Sequence, residues 1–244
     1  MHGKPSCPLG YVFLFILFSL VSSSALALPY TPPGDTLTVI MRPIMSVPAV
    51  IPRGDTLDID CAASGATTDW TASLIYRQLN FPLNIVSSEF PPSLERWKLR
   101  AVVPVDVPVE LYDLSVTGSG GVDDTTQNAV QVIDAFDSSF YIVHMTDTHL
   151  VTHLYYEDSG SETDSSELVD LREVIKDINL INPAFVLLTG DVVNEGELED
   201  LEYRRYFTRS QRVLGELEVP VYLVVGNHDV GGWDATPPPD GTAR

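Results

Sequence analysis

Three hydrophobic patterns follow one another along the chain. The first is an apolar run, Tyr11-Val-Phe-Leu-Phe-Ile-Leu-Phe-Ser-Leu-Val21, with Lys4 before it and the small residues Ala25 and Ala27 after it. That order predicts a secretory signal peptide over residues 1–27. A retained membrane anchor is the first alternative, because Leu9 to Leu28 is as long as a marginal span; a buried core helix is the second. The next pattern, over residues 28–138, breaks every few positions. Pro29, Pro32, Pro33, Pro43, Pro48, Pro52, Pro82, Pro91, Pro92, Pro104 and Pro108 argue against helices. Between them lie β-rich runs at Thr36–Ile40, Thr71–Tyr76, Trp97–Val103, Val109–Val116 and Ala129–Ile133, with a turn cluster at Thr117–Gly121. About seven short strands with frequent breakers predict an immunoglobulin-like β-sandwich.

The third pattern, over residues 139–244, alternates apolar strands with helical periodicity. Phe140–Thr146 reads as a buried strand. Asp164 and Glu167 have capping-box spacing, and Leu168, Leu171, Ile175 and Ile178 then recur three or four apart, as on one helical face. Asn182-Pro183 ends that helix. Ala184–Leu188 is a second strand. Glu197 to Leu217 is a second helix, with Leu198, Leu201, Val213, Leu214 and Leu217 as its core residues, and Val221–Val225 follows Pro220 as a third strand. The order β-α-β-α-β implies parallel strands with helical crossovers, an α/β fold.

Composition narrows the partners. The 244 residues carry 14 Lys+Arg against 34 Asp+Glu, a formal charge of −20. That balance excludes a grip on nucleic acid, which rewards basic surface. It leaves room for a small phosphorylated substrate, since bound cations invert local charge. Membrane contact would come only through an uncleaved N-terminal segment. Loss of residues 1–27 would also remove Cys7, leaving Cys61 as the sole cysteine. An internal disulfide is then impossible, and Cys61 reads as a small core residue. The region outside the leader is expected to be secreted or extracytoplasmic.

The residues just after each strand of the third region carry the chemistry. Asp147-Thr148-His149 comes after the first, Gly190-Asp191 after the second, and Gly226-Asn227-His228-Asp229 after the third. Open α/β sheets place ligand sites outside the carboxyl ends of their strands, so the three clusters should meet. Asp147 and His149, two apart, face the same way if the backbone stays extended. Together they offer a carboxylate oxygen and an imidazole nitrogen to one metal. Asp191 can bridge two metals, and Asn227 offers a neutral oxygen to the second. Such a set suits two ions of Mn, Fe, Zn or Co better than Ca. Two cations about 3.5–4 Å apart can clamp a phosphoryl group. His228 could protonate the leaving oxygen or stabilise charge on the phosphoryl oxygens. Gly190 and Gly226 let the backbone turn sharply and approach the metals. Asp229 reads as a residue that orients a neighbour, His144 as a satisfied core histidine, and His153 as a loop residue.

Asp147, His149, Gly190, Asp191, Gly226, Asn227, His228 and Asp229 together resemble the motifs of the calcineurin-like metallophosphoesterases. The resemblance spans residues 140–233. It implies a dinuclear metal hydrolase, built as a β-sandwich flanked by helices in four layers. It implies Asp147 and His149 on the first metal, Asp191 bridging, Asn227 on the second and His228 as the catalytic histidine. Purple acid phosphatases, a related branch with an N-terminal β-sandwich, differ at two positions. They have Gly in place of His149 and a metal-binding Tyr in place of Asn194. Protein phosphatases of the family have a carboxylate at the position of Asn194, which here can hydrogen-bond but cannot stabilise an imidazolium by charge.

The family pattern also includes a lone His and then a Gly-His-x-His motif downstream. Fifteen residues follow Asp229, none of them His, and the five histidines are His2, His144, His149, His153 and His228. The expectation for these 244 residues is therefore a metallophosphoesterase domain incomplete at its C-terminal side, with weak metal binding, little turnover and an exposed sheet. The leading function is hydrolysis of phosphomonoesters or phosphodiesters. The alternative is a non-catalytic extracellular binding module with a degenerate or truncated metal site.

Overall fold

The computed structural model describes residues 38–150, 166–193 and 200–230. The β-rich region contains β1 (Ile40–Arg42), β2 (Ala49–Pro52), β3 (Thr56–Cys61), β4 (Thr71–Tyr76), β5 (Leu79–Pro82), β6 (Asn84–Glu89), β7 (Trp97–Val102), β8 (Leu111–Gly118) and β9 (Val122–Ile133). These nine strands form two sheets, in the orders β1-β3-β7-β6 and β2-β9-β8-β4-β5. All pairs are antiparallel except β2 with β9, which is parallel.

One hydrophobic core serves both sheets. Leu57, Ile59, Leu99 and Ala101 come from the first, and Ala72, Leu74, Leu114, Val116 and Val132 from the second. The period-2 alternation of strand side chains puts these residues on inward faces. Tyr112 is fully buried, stands edge-on to Tyr76 and Phe81, and its hydroxyl donates to the Pro108 carbonyl at 2.9 Å. Burial, reinforced by the Glu110 carboxylate and then Tyr76, pushes its hydroxyl pKa up to about 12. Cys61 is buried and free, as expected; desolvation, and then the nearby Asp60 and Asp124 carboxylates, raise its thiol to about 12.

The following region contains β10 (Val143–Met145), α1 (Ser166–Ile181), β11 (Val186–Thr189), α2 (Asp200–Leu214), β12 (Val221–Val224) and a 3-10 turn, His228–Val230. The three strands are parallel, in the order β10-β11-β12. The expected helical face of α1 is buried at Leu171, Ile175 and Ile178, and Val213, Leu214 and Leu217 are buried as expected from α2 and its end. Asn182, with φ +52°, adopts the left-handed conformation that commonly closes a helix, and its N–H donates to the Ile178 carbonyl at 2.8 Å. The leader at residues 1–27, His153, Asp164, Glu197 and Leu198 lie outside the described residues.

Three expectations are corrected. The described residues of the β-rich region form nine strands where about seven were expected. Phe140–Thr146 is not a buried strand: only Val143–Met145 pairs, and Phe140, Tyr141 and Ile142 are exposed. β10 is an edge strand, and one face of its sheet is left uncovered by the described residues. His144 lies on that face; it is exposed, and its Nε2 is 2.8 Å from Thr189 Oγ1. It is therefore not a core histidine. Among the described residues no helix is long and apolar enough to cross a membrane.

Candidate metal centre

The three clusters do meet. The loop after β10 keeps hydrogen-bonding to the loop after β11: Asp147 N–H to Gly190 O at 3.2 Å, His149 N–H to Asp191 O at 2.9 Å and Leu150 N–H to Val192 O at 2.9 Å. The Thr148 hydroxyl adds a bond to Val192 O at 3.0 Å. The backbone along this ladder is not extended, which corrects the geometry assumed for Asp147 and His149. Asp147 (φ +54°), His149 (φ +42°) and Asp191 (φ +49°) are left-handed. Asp and His tolerate that region better than most residues, and such positions cluster at functional sites.

The side chains converge all the same. His149 Nε2 lies 3.6 Å from Asp147 Oδ1 and 4.0 Å from Asp191 Oδ2. The His149 and His228 rings meet edge to face, centroids 4.4 Å apart. The His228 N–H donates to Asp191 Oδ1 at 2.9 Å. One ligand atom each from His149, Asp191 and His228 lies within 4.8 Å of the others. Two imidazoles and a carboxylate at that spacing fit a divalent transition metal by donor type. The structure thus groups His228, which the sequence suggested as a proton donor or a stabiliser of phosphoryl charge, with the ligand atoms of His149 and Asp191. Asn227 is exposed on the same loop, and Asn194 lies outside the described residues.

The glycines have a specific steric reason. A Cβ on Gly190 would come within 2.7 Å of Gly226 Cα and N, and one on Gly226 would collide with the Asp191 side chain. The close approach they permit is of two loops to each other. Asp229, 1% exposed, ties the same loops together. Its Oδ1 accepts from Val192 N–H (2.9 Å) and Val193 N–H (3.1 Å), and its Oδ2 accepts from Gly226 N–H (2.8 Å). A buried carboxylate with several backbone donors is compensated rather than stranded. The role of Thr148 was missed, and its only sequence signal is its place between Asp147 and His149.

Solved structures to which the chain is similar include amylomaltase from Corynebacterium glutamicum, at 16% identity and TM-score 0.28, covering 61% of this chain and 21% of that one. Another is the mixed-linkage glucan utilization locus protein SGBP-B of Bacteroides ovatus with a heptasaccharide, at 16% identity and TM-score 0.23, covering 40% and 23%. A third is a Bacteroides ovatus GH5 xyloglucanase, at 10% identity and TM-score 0.24, covering 80% and 46%. The chain spans less than half the length of each. No curated protein matches it. Residues 140–243 match the family model of the calcineurin-like phosphoesterases.

Proposed function

We propose that residues 139–244 carry a dinuclear metal site that hydrolyses small phosphomonoesters or phosphodiesters outside the cytoplasm. In this reading residues 1–27 are a leader or anchor and residues 28–138 an immunoglobulin-like module. The match of residues 140–243 to the calcineurin-like phosphoesterases supports the general activity, metal-dependent phosphoester hydrolysis. The observation that supports the specific site is the convergence of His149, Asp191 and His228 at the carboxyl ends of adjacent parallel strands.

Asp147 and His149 would hold a first metal, Asp191 would be shared with a second, and Asn227 would serve that second metal. When bound, such ions polarise the phosphoryl oxygens as Lewis acids. His228 is held beside the site by its N–H bond to Asp191 and delivers a proton to the leaving oxygen. Asn194 is assigned to orient His228. Gly190, Gly226 and Asp229 keep the loops close enough for these roles. The net charge of −20 favours a small substrate over a nucleic acid.

The immunoglobulin-like reading rests on strand order. With β1, β3, β7 and β6 as strands A, B, E and D, and β9, β8, β4 and β5 as G, F, C and C′, the two sheets follow the sandwich arrangement. The Tyr112–Pro108 bond resembles the tyrosine corner of such domains.

The full-length protein with added Mn²⁺ is expected to hydrolyse a chromogenic phosphoester. Asp191→Asn should lower kcat/KM by about 100-fold or more. Equal rates for the two proteins would sink the assignment and leave the extracellular binding reading standing.

A further inference from the structure

Two segments of the β-rich region reach onto the α/β region. The first is a tight turn between β1 and β2, closed by Ile44 N–H to Val47 O (3.3 Å) and Val47 N–H to Ile44 O (2.9 Å). At its tip Met45 packs against the core of the α/β region, and the Ser46 carbonyl accepts from Leu223 N–H at 3.0 Å. Leu223 faces Leu188 of β11 across the ladder, so the Ser46 bond closes part of the otherwise open edge of β12. The second is the irregularity in β9, where Asn128 has φ +50°. Asn128 Nδ2 donates to the carbonyls of Gly215 and Leu217, both at 3.1 Å, and Gln127 Nε2 to that of Gly215 at 3.3 Å.

The two contacts act on different parts. Asn128 holds the end of α2. The Met45–Ser46 tip holds β12 three residues before Gly226. Little slack separates Leu223 from the metal loops. Gly226 has no room for even a Cβ against Asp191, and the His228 N–H is bonded to the Asp191 carboxylate. A small displacement of β12 therefore moves His228 relative to Asp191 and His149.

We propose that the Met45–Ser46 tip is a positioning element for the site: it sets β12, and through it His228, against Asp191 and His149. The β-rich region is then a working part of the catalytic unit rather than a spacer. Only the Mn²⁺ affinity readout rests on the proposed hydrolase function.

The test uses the full-length protein. Imidazole ¹H–¹⁵N signals are recorded without metal, and Mn²⁺ affinity is measured by calorimetry. Met45→Ala should shift the His149 and His228 signals and weaken Mn²⁺ binding about 10-fold, as loss of outer support does. Met45→Leu, which keeps the apolar contact, should retain both wild-type values. Asn128→Ala should lower the melting temperature yet leave the imidazole signals in place. Unmoved signals in Met45→Ala, or equal movement in Asn128→Ala, would overturn the proposal. Should Met45→Ala fail to fold, Met45→Val shortens the reach while keeping a branched apolar group and carries the same comparison. A wild-type protein that binds no Mn²⁺ would defeat the proposed function, and the metal-free signals would still decide this inference.

Discussion

The two regions of this chain enclose their cores differently. The β-rich region seals its core between two sheets, and Ile59, Leu74, Leu114 and Val116 are wholly buried there. In the α/β region, α1 and α2 cover only one face of the sheet. That face carries Val186, Leu188 and Val221; on the other, His144 and Val224 are exposed and Leu187, Thr189 and Tyr222 half-buried. Parallel sheets are ordinarily covered on both faces. Among the described residues, the candidate metal cluster thus sits at the end of the less enclosed region. The loops that carry it are tied locally by the paired glycines and Asp229, and the Met45–Ser46 tip is the tie we propose from the β-rich region.

The largest effect should come from the sealed core. Leu114→Ala removes a fully buried side chain from a strand paired on both sides, and should cost about 3 kcal/mol. Denaturant unfolding followed by near-UV circular dichroism, where the tilted pair Trp70 and Trp97 reports on this region, measures it. A cost below about 1 kcal/mol, the range of exposed sites, would break the contrast between the regions.

The next effect belongs to the site. Asp229→Ala leaves three backbone donors without their partner, at a cost of about 2 kcal/mol. The loss should be local. Amide exchange at Val192, Val193 and Gly226 should quicken far more than exchange at Leu74 or Leu114. Uniform quickening across both regions would mean that Asp229 supports the whole fold rather than the loops.

The same division explains what the sequence disclosed. Thr71–Tyr76 was readable to the residue, and the helical face of α1 and its stop at Asn182 were legible, because apolar periodicity and proline report burial and backbone directly. Edge strands were not. β6 runs exposed-intermediate along its length, and β5 is nearly all exposed and ends in Pro82; both are held by backbone pairing that leaves no apolar signature. β3 was overlooked although Leu57, Ile59 and Cys61 alternate correctly. In the α/β region, Phe140, Tyr141 and Ile142 looked buried because they are apolar, but they border the uncovered face. At the site, the residue types and their order after each strand were legible. The left-handed backbone at Asp147, His149 and Asp191 was not, since it arises from pairing between loops distant in sequence.

The smallest expected effect is the most direct test of the uncovered face. Val221 and Val224 stand on the same short strand, three residues apart and therefore on opposite faces. Val221 is 3% exposed and Val224 55%. Val221→Ser should cost about 2 kcal/mol, since it removes buried apolar volume and adds a hydroxyl to the core. Val224→Ser should stay within about 0.5 kcal/mol, as substitutions at exposed positions do. Thermal unfolding of the two variants side by side reads the difference. If Val224→Ser costs as much as Val221→Ser, something covers that face in solution. The α/β region would then be as enclosed as the β-rich one, and the local ties around Asp229 and the Met45–Ser46 tip would no longer be needed to explain how the metal loops hold their shape.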